Sequence, residues 1–289
     1  MYARIVVPLD GSELSEQVLP YVIHLAEVFG SAVELVHAIE MEDIPQNVVA
    51  EIKQESARYL ERIAGTFPKQ LKPARTVESG NAAELIIRAA DAREGSLIVM
   101  AMHGYSGLQR WFLGSTAHKV VQAATSAVLL VPAGTAESPD GAAIEFDKVI
   151  VPLDGSPLAE QILPYAVTLC KALNMELIVV RAYNPQFPGA TIRMHEVSRI
   201  VHDAAENYVA EKVRQMKNEG VEKVSYKVLR GIPAEKITDF ALATPNSLTA
   251  MCTHGRHGVG RWVLGSVTDA VIHSSEEPVL VVRALHQSN

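Results

Sequence analysis

The chain states one domain twice, and that repetition limits what it can fold into more than any other feature. Residues 5–21 read IVVPLDGSELSEQVLPY and residues 149–165 read VIVPLDGSPLAEQILPY, identical at 12 of 17 positions. Residues 102–116 read MHGYSGLQRWFLGST, and residues 253–267 read THGRHGVGRWVLGSV. Two related stretches in the same order in each half describe a duplicated domain, because a solenoid would repeat every ~20–50 residues. The 289 residues suit two domains of about 140 residues each. Domain 1 is expected over 1–133 and domain 2 over 146–289. The Ala- and Gly-rich stretch 134–145 reads as the linker.

Each half opens on a short β-branched run, Ile5-Val6-Val7 or Val149-Ile150-Val151, which predicts a buried strand. Apolar positions then recur at helical spacing from Leu14 to Phe29 and from Leu158 to Leu173. Pro20 and Pro164 fall inside these helices, where each should bend the helix or remove a hydrogen bond. A second strand follows, Ala32 to Ala38 and Glu176 to Ala182, then a charged helix over about 48–64 and 195–218. Next come a strand ending at Gly80 or Gly231, a short helix, and a fourth strand, Ser96 to Met100 or Ser247 to Cys252. A Gly-rich loop and a helix lead to the last strand, Ala127 to Val131 or Pro278 to Val282. This alternation predicts an α/β fold: two tandem Rossmann-like domains, each a five-stranded parallel sheet with helices on both faces. The repeat offset is 144 at Asp10 and Asp154 but 151 at His103 and His254, so the second half gained seven residues between them. Residues 184–195 are the expected place, as a loop at the carboxyl edge of the sheet.

Net charge −7 argues against a nucleic-acid partner, because a phosphate backbone calls for basic faces. No apolar run reaches the length of about 18 residues that a membrane span needs. The first strand starts at once, with no signal-peptide regions before it, so a cytoplasmic location is expected. Cys170 and Cys252 are the two cysteines, too few for a disulfide framework.

The chemistry sits in two loops of each half. Asp10 and Asp154 follow strand 1 in Pro-Leu-Asp-Gly-Ser. In an open α/β sheet that position faces the ligand crevice. A carboxylate there can accept hydrogen bonds from a ribose, or it can cap the helix that follows. After strand 4, His103-Gly104 is followed nine residues later by Gly114-Ser115, and His254-Gly255 nine residues later by Gly265-Ser266. Glycine admits close backbone approach, and Gly-Ser before a helix aims N–H groups at an anion. The pattern is neither a Walker A loop nor a short dinucleotide fingerprint.

VPLDGS, then HGxxGxxRWxLGS, then a VLLV or VLVV strand, together resemble the universal stress protein family, over both halves. Its ATP-binding branch carries Gly, two residues, Gly, nine residues, Gly, then Ser or Thr. Gly104, Gly114 and Ser115 match, as do Gly255, Gly265 and Ser266, but Ala101 and Cys252 stand at the first glycine. By that criterion the first site fits ATP better, whereas Arg256, a cation where the first half has Tyr105, favours the second slightly. The resemblance implies that Pro8, Leu9 and Asp10, and Pro152, Leu153 and Asp154, line adenine and ribose. It implies that Ala38 and Ala182 meet the adenine through the backbone, and that Met100 and Met251 lie beside the nucleotide. Gly114, Ser115, Thr116 and Ala117, and Gly265, Ser266, Val267 and Thr268, would wrap the phosphates. ATP with Mg²⁺ is the implied cofactor, with Asp10 and Asp154 the candidate side chains for the metal.

Arg110, Arg256 and Arg261 are candidate phosphate contacts, or surface arginines paired to carboxylates. Trp111 and Trp262 read as packing residues, and His103 and His254 as loop braces without metal-ligand spacing. Cys252 reads as an inert strand end, against the alternative of a thiol activated by the helix start. Three functions follow: a regulatory ATP-binding protein, a nucleotide hydrolase, or an interaction module with vacant pockets. The loops carry no lysine, which argues for slow or no hydrolysis. The last strands, Val128 to Val131 and Val279 to Val282, are apolar edges expected to pair with each other or in a homodimer of tandems.

Overall fold

A computed structural model describes residues 1–40, 46–103, 113–134, 146–184, 194–254 and 264–285. The chain divides into two units, Met1–Ile144 and Glu145–Asn289.

The first unit runs β1 (Arg4–Pro8), α1 (Glu13–Glu16), α2 (Leu19–Phe29), β2 (Ala32–Ile39), α3 (Gln46–Ala64), β3 (Ala74–Ser79), α4 (Ala82–Asp91), β4 (Ser96–Ala101), α5 (Ser115–Ala123) and β5 (Ala127–Val131). The second repeats it as β6 (Lys148–Pro152), α6 (Pro157–Glu160), α7 (Leu163–Leu173), β7 (Glu176–Tyr183), α8 (Met194–Asn218), β8 (Val224–Arg230), α9 (Pro233–Leu242), β9 (Ser247–Cys252), α10 (Ser266–Ser274) and β10 (Val279–Val282). Strand order in the first unit is β3-β2-β1-β4-β5, and the second has the equivalent order β8-β7-β6-β9-β10. The pairings within each unit are parallel, with Arg4 beside both Ala32 and Ser96, and Lys148 beside both Glu176 and Ser247. Each unit is therefore the expected Rossmann-like α/β sheet.

Strands buried on both faces read as continuous apolar runs. Ile5, Val6 and Val7 are each 0% exposed, as are Val149, Ile150 and Val151. The apolar stripes of α2 (Val22, Leu25, Ala26), α4 (Leu85, Ile86, Ala90) and α5 (Val120, Val121) add to the core of the first unit, with Leu60 and Ile63 of α3.

The helix expected over Leu14 to Phe29 is two helices. α1 ends at Glu16, and Pro20 lies in the first turn of α2; Pro164 lies likewise in α7. A proline there bends nothing, because the first-turn N–H has no intrahelical acceptor to lose. Helix ends in left-handed conformation use Gly30 (φ 63°) in one unit and Asn174 (φ 54°) in the other. Glycine adopts that conformation without a Cβ penalty, and asparagine is the usual substitute. The residues gained in the second half are not confined to the predicted loop. α8 has 25 residues against 19 in α3, and residues 185–193 lie outside those described. Among the described residues, no helix is long and apolar enough to cross a membrane.

Candidate functional site

β1 leads by α1 and α2 to β2 on one side, whereas β4 leads by α5 to β5 on the other. The crevice between two such diverging connections, at the carboxyl ends of the strands, is where open α/β sheets take ligands. Its walls in the first unit are the Leu9–Ser12 turn and the start of α5. In the second unit they are the Leu153–Ser156 turn and the start of α10.

The strand-1 turn is built the same way in both units. The ladder extends one residue past the strand, with Leu9 N donating to Val36 O (2.9 Å) and Leu153 N to Val180 O (2.8 Å). Asp10 Oδ1 then accepts from Ser12 N (3.0 Å) and Ser12 Oγ (2.6 Å), and Asp154 Oδ1 from Ser156 N (2.9 Å) and Oγ (2.6 Å). The serines, not the aspartates, cap the helices. Ser12 Oγ accepts from Ser15 N (3.1 Å), and Ser156 Oγ from Ala159 N (3.2 Å). The sequence alternative of Asp as helix cap is thus corrected: each carboxylate orients the capping hydroxyl. Asp10 is exposed and Asp154 half-buried, while Leu9 and Leu153 are buried.

Several braces were not anticipated from sequence. His37 Nδ1 lies 2.8 Å from the Leu9 carbonyl, so that nitrogen carries the hydrogen; at the equivalent position Arg181 Nη1 donates to the Leu153 carbonyl (3.1 Å). Ala38 and Ala182, the expected adenine neighbours, follow these residues directly and are half-buried. Glu16 pairs with Arg62 on α3 (3.1 Å), and Glu160 with Lys212 on α8 (2.6 Å). Each cation also lies over a tyrosine ring of its own helix, Tyr59 at 5.3 Å or Tyr208 at 5.7 Å. Burial, aided by Glu16 or Glu160, holds both phenols above their ordinary range. Gln17 Oε1 accepts from Gly134 N (2.8 Å), and Gln161 Oε1 from Leu285 N (2.9 Å). For the glutamate and glutamine braces, the signal that could have found them was the identity of these residues in both 17-residue stretches.

On the opposite wall, Gly114 (φ −56°, ψ 147°) and Gly265 (φ −62°, ψ 139°) precede α5 and α10, with no side-chain cap at either. Both glycines donate back to the chain leaving strand 4: Gly114 N to Met102 O and Gly265 N to Thr253 O, each 2.8 Å. A Cβ on Gly265 would stand 2.8 Å from that Thr253 oxygen. Ser115 and Ser266 are exposed at the first helical position, and the first-turn N–H groups there have no intrahelical partner. Thr116 and Val267 are half-buried. Ala117 and Thr268 are buried, and Thr268 Oγ1 donates to Cys252 O (2.8 Å). Residues 117 and 268 can therefore face a phosphate through their backbone only.

Met100 and Met251 are buried strand residues, Pro8 and Pro152 end their strands, and Ala101 is half-buried. Cys252 is 5% exposed. Burial pushes its thiol up to about 12, the Ile162 backbone hydrogen bond opposing the shift and Asp154 adding to it. The activated-thiol alternative is thereby corrected, and Cys170 on α7 is likewise pushed up to about 12 by burial. His254 Nδ1 lies 3.0 Å from Thr253 Oγ1, in keeping with a bracing histidine. Gly104, Arg110, Trp111, Gly255, Arg256, Arg261 and Trp262 lie outside the described residues. Among the described residues, no group of three His, Cys, Asp or Glu is arranged to hold a metal.

Comparison with known proteins agrees with the doubled architecture. The Universal stress protein family matches residues 1–132 and again 145–283. A universal stress protein of Methanocaldococcus jannaschii is 29% identical over 141 residues, covering 48% of this chain and 82% of its own length. One from Mycobacterium bovis is 28% identical over 197 residues, 66% of this chain; the match spans only 63% of that relative's length. The crystal structure of a universal stress protein from Archaeoglobus fulgidus superimposes with a TM-score of 0.72 over 98% of both chains, at 22% identity, a likeness of fold. The chain belongs to the universal stress protein family and carries two copies of its domain in tandem.

Proposed function

We propose that the chain binds an adenine nucleotide, ATP with Mg²⁺, in one or both units, and acts as a regulatory binding module with slow or no hydrolysis. One observation carries this reading. In each unit a strand-1 carboxylate, Asp10 or Asp154, and an uncapped helix start, Gly114-Ser115 or Gly265-Ser266, belong to the two loops that diverge at the switch point of the sheet. The carboxylate suits a ribose hydroxyl, and the helix start suits phosphate. Asp10 and Asp154 already spend one oxygen on the capping serine. Mg²⁺ would accordingly be held mainly by the phosphates, with these carboxylates as the protein's contribution. The absence of lysine from both Gly-rich loops supports binding without efficient phosphoryl transfer. The apolar sequence of β5 and β10 supports pairing of the last strands, within one chain or in a homodimer of tandems.

Calorimetric titration of ATP with Mg²⁺ into the full chain tests the proposal. Saturable binding at one or two sites per chain, lost stepwise with Asp10→Ala and Asp154→Ala, is the expected result. Absence of binding at millimolar ATP overturns it in favour of an interaction module. Steady phosphate release well above background points to a hydrolase.

A further inference from the structure

The two units anchor the phosphate-side helix differently. In the second unit Thr253 follows β9, and its Oγ1 accepts from Ala284 N (3.3 Å) and lies 3.0 Å from His254 Nδ1. Thr268, in the first turn of α10, donates from Oγ1 to the Cys252 carbonyl (2.8 Å). Both side chains are buried, at 2% and 4% exposed. Two hydroxyls thus clasp together the end of β9, the chain after β10 and the start of α10. In the first unit the equivalent positions hold Met102 and Ala117, equally buried and without a hydroxyl. The backbone frame is shared, since Met102 N donates to Val131 O and Thr253 N to Val282 O, each at 2.9 Å. The difference is confined to side chains.

We infer that Thr253 and Thr268 are positioning residues that make the second unit the tighter of the two nucleotide sites, an inference that rests on the nucleotide reading above. A ligand gains affinity when the groups that meet it are ordered beforehand. Methionine fills the same space but is unbranched and adaptable, and alanine offers no polar atom. One buried hydroxyl hydrogen bond contributes on the order of five-fold in an equilibrium constant. The pair therefore favours the second unit by roughly twenty-five-fold. The first-glycine criterion favours the first unit instead, but its objection to Cys252 weakens because that side chain is packed in the core.

The test uses the full chain with one site silenced at a time. ATP should bind roughly twenty-five-fold tighter to the Asp10→Ala protein than to the Asp154→Ala protein. In the Asp10→Ala background, Thr268→Val should lose about five-fold and Thr268→Ser should keep the parent's affinity, whereas in the Asp154→Ala background Thr268→Val should leave first-unit affinity unmoved. Equal affinities in the two units, or Thr268→Val binding like its parent, overturns the inference. Amide hydrogen exchange without ligand supplies a second reading. The Gly265 amide should exchange more slowly than the Gly114 amide, both bonded at 2.8 Å, and Thr268→Val should erase the difference. Equal protection overturns the clasp whether or not nucleotide binds. Unequal protection with no ATP binding in either unit overturns the nucleotide reading and, with it, the affinity assignment.

Discussion

Replacing Gly265 with alanine separates two explanations of the glycine before α10. If the glycine exists to admit a phosphate, the ligand-free protein should tolerate a methyl group there. The geometry says otherwise. The added Cβ would stand 2.8 Å from the Thr253 carbonyl oxygen and 3.7 Å from His254 Cα, against an ordinary heavy-atom contact of about 3.5 Å. The φ of −62° suits any residue, so the whole cost is steric. Separating the two segments breaks the 2.8 Å bond from Gly265 N to Thr253 O, which costs about 1 kcal/mol. Overpacking of this kind adds about 1–3 kcal/mol. The sum, about 2–4 kcal/mol, corresponds to a fall of roughly 5–12 °C in Tm for a domain of this size. Thermal denaturation followed by circular dichroism without nucleotide reads it directly. A Gly265→Ala protein that melts with wild type but binds ATP poorly would refute the steric reasoning.

Thr249 is 0% exposed in β9 and its hydroxyl finds no hydrogen-bond partner among the described residues. Thr249→Val should therefore be neutral or stabilising by about 1 kcal/mol in urea denaturation; a loss of that size would mean the hydroxyl has a partner. Because Asn174 holds the place of Gly30 with nearly the same φ, Gly30→Asn should stay within about 0.5 kcal/mol of wild type while Gly30→Val costs more than about 1 kcal/mol. The buried thiols predict alkaline sensitivity. Unfolded cysteine ionises near 8.5–9, whereas Cys170 and Cys252 keep their protons up to about 12. Above pH 9 the unfolded chain holds fewer protons than the folded one, so stability is intact below about pH 8.5 and declines above it by about 1.4 kcal/mol per pH unit for each thiol. Urea midpoints at pH 8, 9 and 10 should fall accordingly, and the decline should flatten in a Cys170→Ala, Cys252→Ala variant. A midpoint independent of pH contradicts the burial argument.

The strands were legible because their burial on both faces demands β-branched runs, and the Gly-x9-Gly-Ser spacing located the starts of α5 and α10 from sequence. The break after α1 was not legible from periodicity. Leu14, Val18, Val22 and Leu25 keep helical spacing across it, and only the first-turn preference of Pro20 marks where α2 begins. His37 and Arg181 escaped notice for a different reason. They share an acceptor, the Leu9 or Leu153 carbonyl, but not a residue type, so comparison of the halves passes over them. The clasp was hidden similarly, because Thr253 and Thr268 differ from Met102 and Ala117, and identity between the halves was the signal being read.

Identity between the halves also overstates how much of the first loop is reserved for a ligand. Ser12 and Ser156 cap helices, Glu16 and Glu160 reach the cation of the next helix, and Gln17 and Gln161 hold the chain after the last strand. The fold alone accounts for those matches. Ser115 and Ser266 differ, being exposed at the helix starts, where a hydroxyl adds little to folding but stands at the anion end of the dipole. Variants at the two kinds of position should therefore divide cleanly. Gln17→Ala and Gln161→Ala each remove a clamp and should cost about 1 kcal/mol of stability, with ATP affinity nearly kept. Ser115→Ala and Ser266→Ala should melt within about 0.5 kcal/mol of wild type yet weaken ATP binding several-fold. Were the serine variants to bind ATP unchanged while the glutamine variants lost it, the strand-1 loop and not the helix start would be the principal holder of the nucleotide.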